Sequence, residues 1–414
     1  MEPLFGYLKK LNDSPLFYFS LGSKELFHSN FLQWISRTDF GNGNDGKKIF
    51  RNILSKVNIC NLPDNDEWNV EREVNHNDLS ITLPKIDSKG KKTKKTLLII
   101  ENKFKSFPNA EQLSKYFTNN KKNKGVKFTL LTFFKNFKEK SEIKQVALKN
   151  EIEFNIVSYE DLLEAIKDEF NTNELKNLKT FNIQIINDYI KFLEGLIGLE
   201  KYTTINSDSK FLTSAIDLDE LHNLRIHDLY LKIRYAKFCD YVNNEIKKAG
   251  YDLSKIKTKS GYSPNGGSFF ELAVKTDWKN GVSTVDIGIQ IQLNQYRHFI
   301  CPVKNDKFIT SKRRLSTDNF FILTKNEKES ELKNHYGNIL FSEIMKTSDP
   351  ELFGKSKRLQ KKDFLQFKDK NGFFKYQYAA IKETVTVQQL TQRILKDLAT
   401  IEKITKKSLK LSIN

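Results

Sequence analysis

Asp78, Glu101 and Lys103 are the residues of this chain whose types and spacing point most directly to chemistry. Asp78 begins one apolar segment and Glu101 ends the next. If the two segments pair as an antiparallel hairpin, those ends meet whatever the length of the loop between them. Lys103 follows Glu101 by two residues, and side chains two apart share a face of an extended chain. Two carboxylates and an ammonium then converge at one end of a sheet. Hard oxygen donors suit Mg²⁺ or Mn²⁺, which polarise a phosphoryl oxygen and acidify a bound water. A lysine beside them can position or deprotonate that water, or stabilise developing negative charge. The plainer alternative is a surface ion pair at a strand end, a common and weak feature.

The elements that must position these groups are legible in the pattern. Residues 23–37 have Ser23 as an N-cap candidate and Phe27, Phe31, Trp34 and Ile35 at helical spacing. A second helix is expected over 49–57. Strands are expected over 70–75, 79–83 and 96–102, the last two joined by the basic turn 84–95. A helix over 109–119, strands over 127–134 and 154–158, and helices over 159–169 and 178–196 complete the unit. This order predicts an α/β fold with a mixed central sheet flanked by helices. Gly198 and the polar stretch 203–210 mark the expected boundary, giving domains 1–200 and 201–414.

Asp78 followed by Glu101-Asn102-Lys103 resembles the motif of the PD-(D/E)XK nuclease superfamily. Gln112-Leu113-Ser114-Lys115-Tyr116 is similar to the Gln-apolar-x-x-Tyr signature of its RecB-like branch. Glu25-Leu26-Phe27-His28-Ser29-Asn30-Phe31 looks like the N-terminal helix of its smaller bacterial families, and Ser158–Leu163 like the strand-to-helix exit of the fold. The resemblance covers about residues 15–197, with Asn77 standing where many members have proline. It implies a restriction-endonuclease-like fold and a hydrolase cutting DNA, more than RNA, in bacterial defence or restriction. It also implies that Asp78, Glu101, the Asn102 carbonyl and Glu25 hold Mg²⁺ or Mn²⁺. Lys103 then handles the nucleophilic water, and Gln112 and Tyr116 orient the site or the substrate backbone.

Alternatives remain open at several of these positions. Gln112 can close a capping box with Asn109, Tyr116 can belong to the core, and Glu25 can be a first-turn acid favoured by the helix dipole. A nucleic-acid-binding module with a silent nuclease fold, or an RNA- or tRNA-directed nuclease, are the competing functions. Glu71 and Glu73 precede the motif and read as solvated strand acids; His28 and His76 read as structural.

Composition narrows the rest. The net charge is +18, which suits a polyanionic partner, since phosphate contacts by Lys and Arg release counterions; solvated surface lysines are the plain alternative. Gly41–Lys48 nearly matches a phosphate-binding loop, but Lys48 replaces the hydroxyl residue that should hold Mg²⁺, and a helix rather than a strand precedes it. Three scattered cysteines, Cys60, Cys239 and Cys301, supply neither a disulfide framework nor a four-cysteine cluster. No secretory leader or spanning segment is read, so the expectation is a cytoplasmic protein with no membrane partner.

Residues 201–414 read as a basic α+β domain for substrate recognition, regulation or assembly, through a homo-oligomer or an accessory protein. A helix is expected over 224–248, a loop over 261–268, strands over 269–276, 282–293, 296–303 and 320–323, and a closing helix over 387–404. Asp286, Gly288, Gln290 and Gln292 alternate onto one face of their segment, the pattern of a two-faced strand. Lys312-Arg313-Arg314 and 355–362 are basic clusters.

Overall fold

The computed structural model describes residues 2–20, 25–40, 45–60, 62–63, 67–74, 77–86, 90–104, 110–120, 125–133, 140–171, 181–212, 215–262, 267–280, 283–304, 307–308, 349–354, 365–366, 375–405 and 409. The chain divides into two compact units, one of Met1–Tyr202 with His222–Leu229, the other of Thr203–Leu221 with Tyr230–Asn414. The expected strand at 320–323, the basic clusters at 312–314 and 355–362, and Ser23, His76 and Asn109 lie outside the described residues.

The first unit is a mixed five-stranded sheet flanked by helices. Helices α1 (Glu2–Asn12), α2 (Pro15–Ser20), α3 (Glu25–Arg37) and α4 (Gly46–Lys56) precede strands β1 (Asn69–Val74), β2 (Asn77–Ile86) and β3 (Lys92–Lys103). Helix α5 (Ala110–Asn120), strand β4 (Lys127–Thr132), helix α6 (Lys140–Lys149), strand β5 (Glu153–Ser158) and helices α7 (Tyr159–Phe170) and α8 (Phe181–Tyr202) follow. The strands stand in chain order. β1, β2 and β3 pair antiparallel as hairpin partners do, while β4 and β5 join parallel through the crossover helices. β3 is therefore a central strand covered on both faces, which explains its continuous apolar run Leu98-Ile99-Ile100, each at most 1% exposed.

The helix entry at α4 shows why the apparent phosphate-binding loop is not one. Asp45 caps α4, accepting from the Lys47 N–H at 2.8 Å. The next residue must be glycine: a Cβ on Gly46 would stand 2.1 Å from the Ile35 carbonyl oxygen and 2.4 Å from that of Thr38.

Gly198 is not a break. It lies inside α8, where a Cβ would meet the Tyr7 ring of α1 at 2.1 Å. The glycine makes room for helix packing, and the helix runs on to Tyr202. Helices α1, α2 and α6, and the helix Ala215–Asn223 of the second part of the chain, have no counterpart in the expected pattern. Gly6, a poor helix former, stands inside α1. Among the described side chains of α6, Ile143 and Ala147 are buried and Val146 packs against the same core, a narrow stripe for periodicity to reveal.

In the second part of the chain, helices α9 (Ala215–Asn223) and α10 (His227–Lys248) lead into β6 (Ile256–Tyr262), β7 (Ser268–Asn280), β8 (Ser283–Gln292), β9 (Gln295–Lys304), β10 (Lys307–Phe308), β11 (Phe353–Gly354), β12 (Leu365–Gln366) and β13 (Lys375–Ile381). Helix α11 (Val387–Thr405) follows. The sheet has eight strands in the order β11-β13-β9-β8-β7-β6, with β10 on β9 and β12 on β13, all antiparallel. Ile287, Ile289 and Ile291 join Phe270, Leu272 and Val274 in one core with Phe238, Val242 and Ile246 of α10 and Leu390, Ile394 and Leu398 of α11. The alternation in β8 leaves Asp286, Gly288, Gln290 and Gln292 for the opposite face. β6 reads weakly in the sequence because Lys257 and Lys259 interrupt it, as charges commonly do on an edge strand.

Among the described residues, no helix is long and apolar enough to cross a membrane.

Candidate active site

The hairpin register brings the motif together. Leu79 lies opposite Ile100, so one further residue places Asp78 beside Glu101. The Asn102 backbone N–H donates to Asp78 Oδ2 at 2.7 Å, tying the two strand ends. Lys103 Nζ stands 2.8 Å from Glu101 Oε1 and 3.6 Å from Glu25 Oε2 at the start of α3. Glu101, Asn102 and Lys103 are 1%, 1% and 5% exposed. This is too deep for the ion pair at a strand end that the bare sequence allowed.

Burial sets the electrostatics. It pushes the Glu101 carboxyl up to about 7, helped by the neighbouring Asp78 charge and opposed by Lys103. Asp78 is raised for the same first reason, against the Asn102 N–H and Lys103. Burial works to lower Lys103, but Glu101, Glu25 and Asp78 together outweigh it and hold the ammonium protonated above its ordinary range. Glu101 Oε2 is buried without a hydrogen-bond partner. Two carboxylates that resist ionisation together, one with an unused oxygen, form a place that a cation relieves. Among the described residues no group of three or more His, Cys, Asp or Glu side chains gathers as a complete cage. Two carboxylates and a carbonyl nevertheless fit Mg²⁺, which keeps several of its waters.

The side chain of Asn102 locks this arrangement, a role the sequence did not signal. Its Nδ2 donates to the Glu25 carbonyl at 2.7 Å, and its Oδ1 accepts from the Tyr159 hydroxyl at 2.5 Å. One residue thus ties β3 to the first turn of α3 and to α7. Tyr159 rests against Phe104 and His28. His28 is fully buried, bonded to the Tyr189 hydroxyl at 2.8 Å, and driven by burial to about 3, so it is a neutral packing group. Asn102→Ala removes the ties but keeps the backbone carbonyl. We expect it to weaken divalent-metal affinity about 10–100-fold, as loss of a supporting contact does; calorimetry with Mn²⁺ checks this, and unchanged affinity contradicts it.

Gln112 and Tyr116 stand one turn apart on α5, the Gln112 amide donating to the Tyr116 hydroxyl at 2.9 Å. Tyr116 also packs on the core of Ile99, Leu113 and Phe117, so its core and site readings are compatible. Glu71 pairs with Lys94 across the strands, as a strand acid does.

Residues 16–191 match the family model described as the PD-(D/E)XK nuclease superfamily. No curated protein and no solved structure matches the chain. The matched segment contains the five strands, both motif strand ends and α5, so the chain carries a PD-(D/E)XK nuclease-superfamily domain over residues 16–191.

Proposed function

We propose that this protein hydrolyses phosphodiester bonds of DNA with Mg²⁺ or Mn²⁺ at a site formed by Asp78, Glu101 and Lys103, as a RecB-like member of its superfamily. The observation that carries this reading is the burial of Glu101 and Lys103 as a contacting pair, with Asp78 held beside them by the Asn102 N–H. A buried carboxylate–ammonium pair whose groups are strongly perturbed by desolvation and by each other marks a candidate functional site.

Asp78, Glu101 and the Asn102 carbonyl are the proposed metal donors, with Glu25 completing the shell. A bound divalent cation supplies Lewis-acid stabilisation of charge on the scissile phosphate. The carboxylates hold Lys103 protonated in the resting site. It therefore acts first as a fixed positive charge that orients the attacking water and stabilises negative charge developing on the phosphoryl oxygens. Gln112 and Tyr116 orient the substrate backbone. The net charge of +18 supports a polyanionic substrate. The context we infer, by family resemblance, is bacterial defence or restriction, in the cytoplasm.

Matched DNA and RNA duplexes and single strands, incubated in parallel with Mg²⁺ or Mn²⁺, test the substrate. Cleavage of DNA and not RNA is expected. Cleavage confined to RNA transfers the same site to the other sugar, and metal binding without cleavage of any substrate leaves a binding module.

A further inference from the structure

The face of the second sheet opposite its helices carries a polar row that the nuclease reading leaves unused. The register aligns Lys259, Glu271, Gln290, Arg297 and Tyr378 side by side across β6, β7, β8, β9 and β13. Hydrogen bonds follow the row: Lys259 Nζ to Glu271 Oε1 at 2.8 Å, Gln290 Nε2 to Glu271 Oε2 at 2.9 Å, and Arg297 Nη1 to Gln290 Oε1 at 2.8 Å. Arg297 also donates to Gln292 Oε1 at 2.5 Å and, through Nε and Nη2, to Gln295 Oε1 at 2.9 and 2.6 Å. Its guanidinium lies over the Tyr376 ring, 4.7 Å from the centroid.

The charges in this row do not balance. The Glu271 carboxylate is already matched by Lys259. Arg297 is 7% exposed, and among the described residues no carboxylate stands within ion-pair distance of it. Burial pulls its guanidinium below the ordinary range, with only tyrosines working against that. A buried cation without a counter-ion is costly, and neutral amide oxygens repay that cost only in part. Three glutamines surround it where a single glutamate would have neutralised it. Four of its five N–H groups are used, and one on Nη2 is left.

We propose that this row is a binding site for a phosphoryl oxyanion, with Arg297 as the recognising cation and Gln290, Gln292 and Gln295 as the frame that aims it. Gln295 and Tyr376 are half-buried, and the adjoining turn exposes Leu293 to 53%, so this end of the row reaches solvent. The guanidinium charge and its remaining Nη2 N–H suit one oxygen of such an anion, and the chain's excess of positive charge favours such ligands over neutral ones.

The test titrates inorganic phosphate into the full-length protein in EDTA, by calorimetry and thermal unfolding, for wild type and Gln292→Glu. The substitution places a carboxylate where the Gln292 oxygen already meets Arg297, satisfying the charge internally. Phosphate is expected to bind and stabilise the wild type, and to bind Gln292→Glu at least tenfold more weakly, while the variant alone melts higher than wild type. Should Gln292→Glu not fold, Arg297→Lys carries the comparison, since it keeps the charge and loses the planar guanidinium that the glutamine frame holds in place. Competition by a single-stranded oligonucleotide, lost in the variant, assigns the phosphoryl group to a nucleic-acid backbone; no competition assigns it to a small phosphate ligand. Equal phosphate binding by wild type and variant, or none by wild type at millimolar phosphate, overturns the proposal. The metal-free condition keeps this outcome separate from any result on nuclease activity.

Discussion

Lys103→Met is expected to lower the cleavage rate by about 10²–10⁴-fold while leaving divalent-metal affinity at the wild-type level or tighter. The ammonium stands 2.8 Å from Glu101 and 3.6 Å from Glu25, and is held protonated there against the pull of burial. In that position it repels an incoming cation but attracts the negative charge that develops during phosphoryl transfer. Methionine preserves much of the apolar stem and so the packing. It removes the charge alone, and with it a competitor for the carboxylates. Single-turnover cleavage and metal calorimetry separate the two effects. A variant that cuts at the wild-type rate reduces Lys103 to a structural partner of Glu101. One that loses metal binding along with activity would show that the lysine organises the carboxylates instead of serving the chemistry.

Glu101→Gln is expected to abolish metal-dependent activity and yet stabilise the metal-free protein at neutral and alkaline pH. Glu101 rises from its ordinary value of 4.5 to about 7 in the fold, through burial and the Asp78 charge. Between those values the folded state binds more protons than the unfolded one, so metal-free stability falls as pH rises from about 4.5 to about 7. At about 1.4 kcal/mol per unit the ceiling on this cost is on the order of 3 kcal/mol. The substituted amide would also leave Lys103 with only the more distant Glu25 as a charged partner at close range, which offsets part of the gain. We therefore expect a net stabilisation of about 1–2 kcal/mol above pH 7 that vanishes near pH 4, where Glu101 is protonated in both states. Denaturant unfolding in EDTA across that range measures it. Equal stability of wild type and variant at pH 8 would mean that the carboxyl is not strained by its surroundings.

The motif was readable because strand chemistry is periodic. Asp78 at the start of one strand, and Glu101 and Lys103 two apart at the end of the next, need only a hairpin to meet, and the apolar runs announced that hairpin. The alternation of Asp286, Gly288, Gln290 and Gln292 was readable for the same reason. What the bare pattern withheld was tertiary. Asn102 looks like a spacer until its amide is seen joining the Glu25 carbonyl and the Tyr159 hydroxyl, residues from elements far away in the chain. Gly198 reads as a helix breaker until Tyr7, nearly two hundred residues earlier, is seen filling its surface. Arg297 and Lys259 gave no signal separately, because only the register across β6 to β9 makes them members of one row. Helix α6 was missed because its apolar stripe, Ile143, Val146 and Ala147, is narrow among polar and charged neighbours.

The most direct test of the central claim is to incubate purified wild type and Asp78→Ala with supercoiled plasmid in Mg²⁺, Mn²⁺ or EDTA, and to follow nicked and linear products. Asp78 is the one member of the motif on β2, so its loss removes a proposed metal donor and spares the Glu101–Lys103 pair. Cutting by the wild type that needs the metal, and that disappears in a folded Asp78→Ala protein, is the result predicted here. Cutting at the same rate by both proteins, or cutting by the wild type that persists in EDTA, would contradict it.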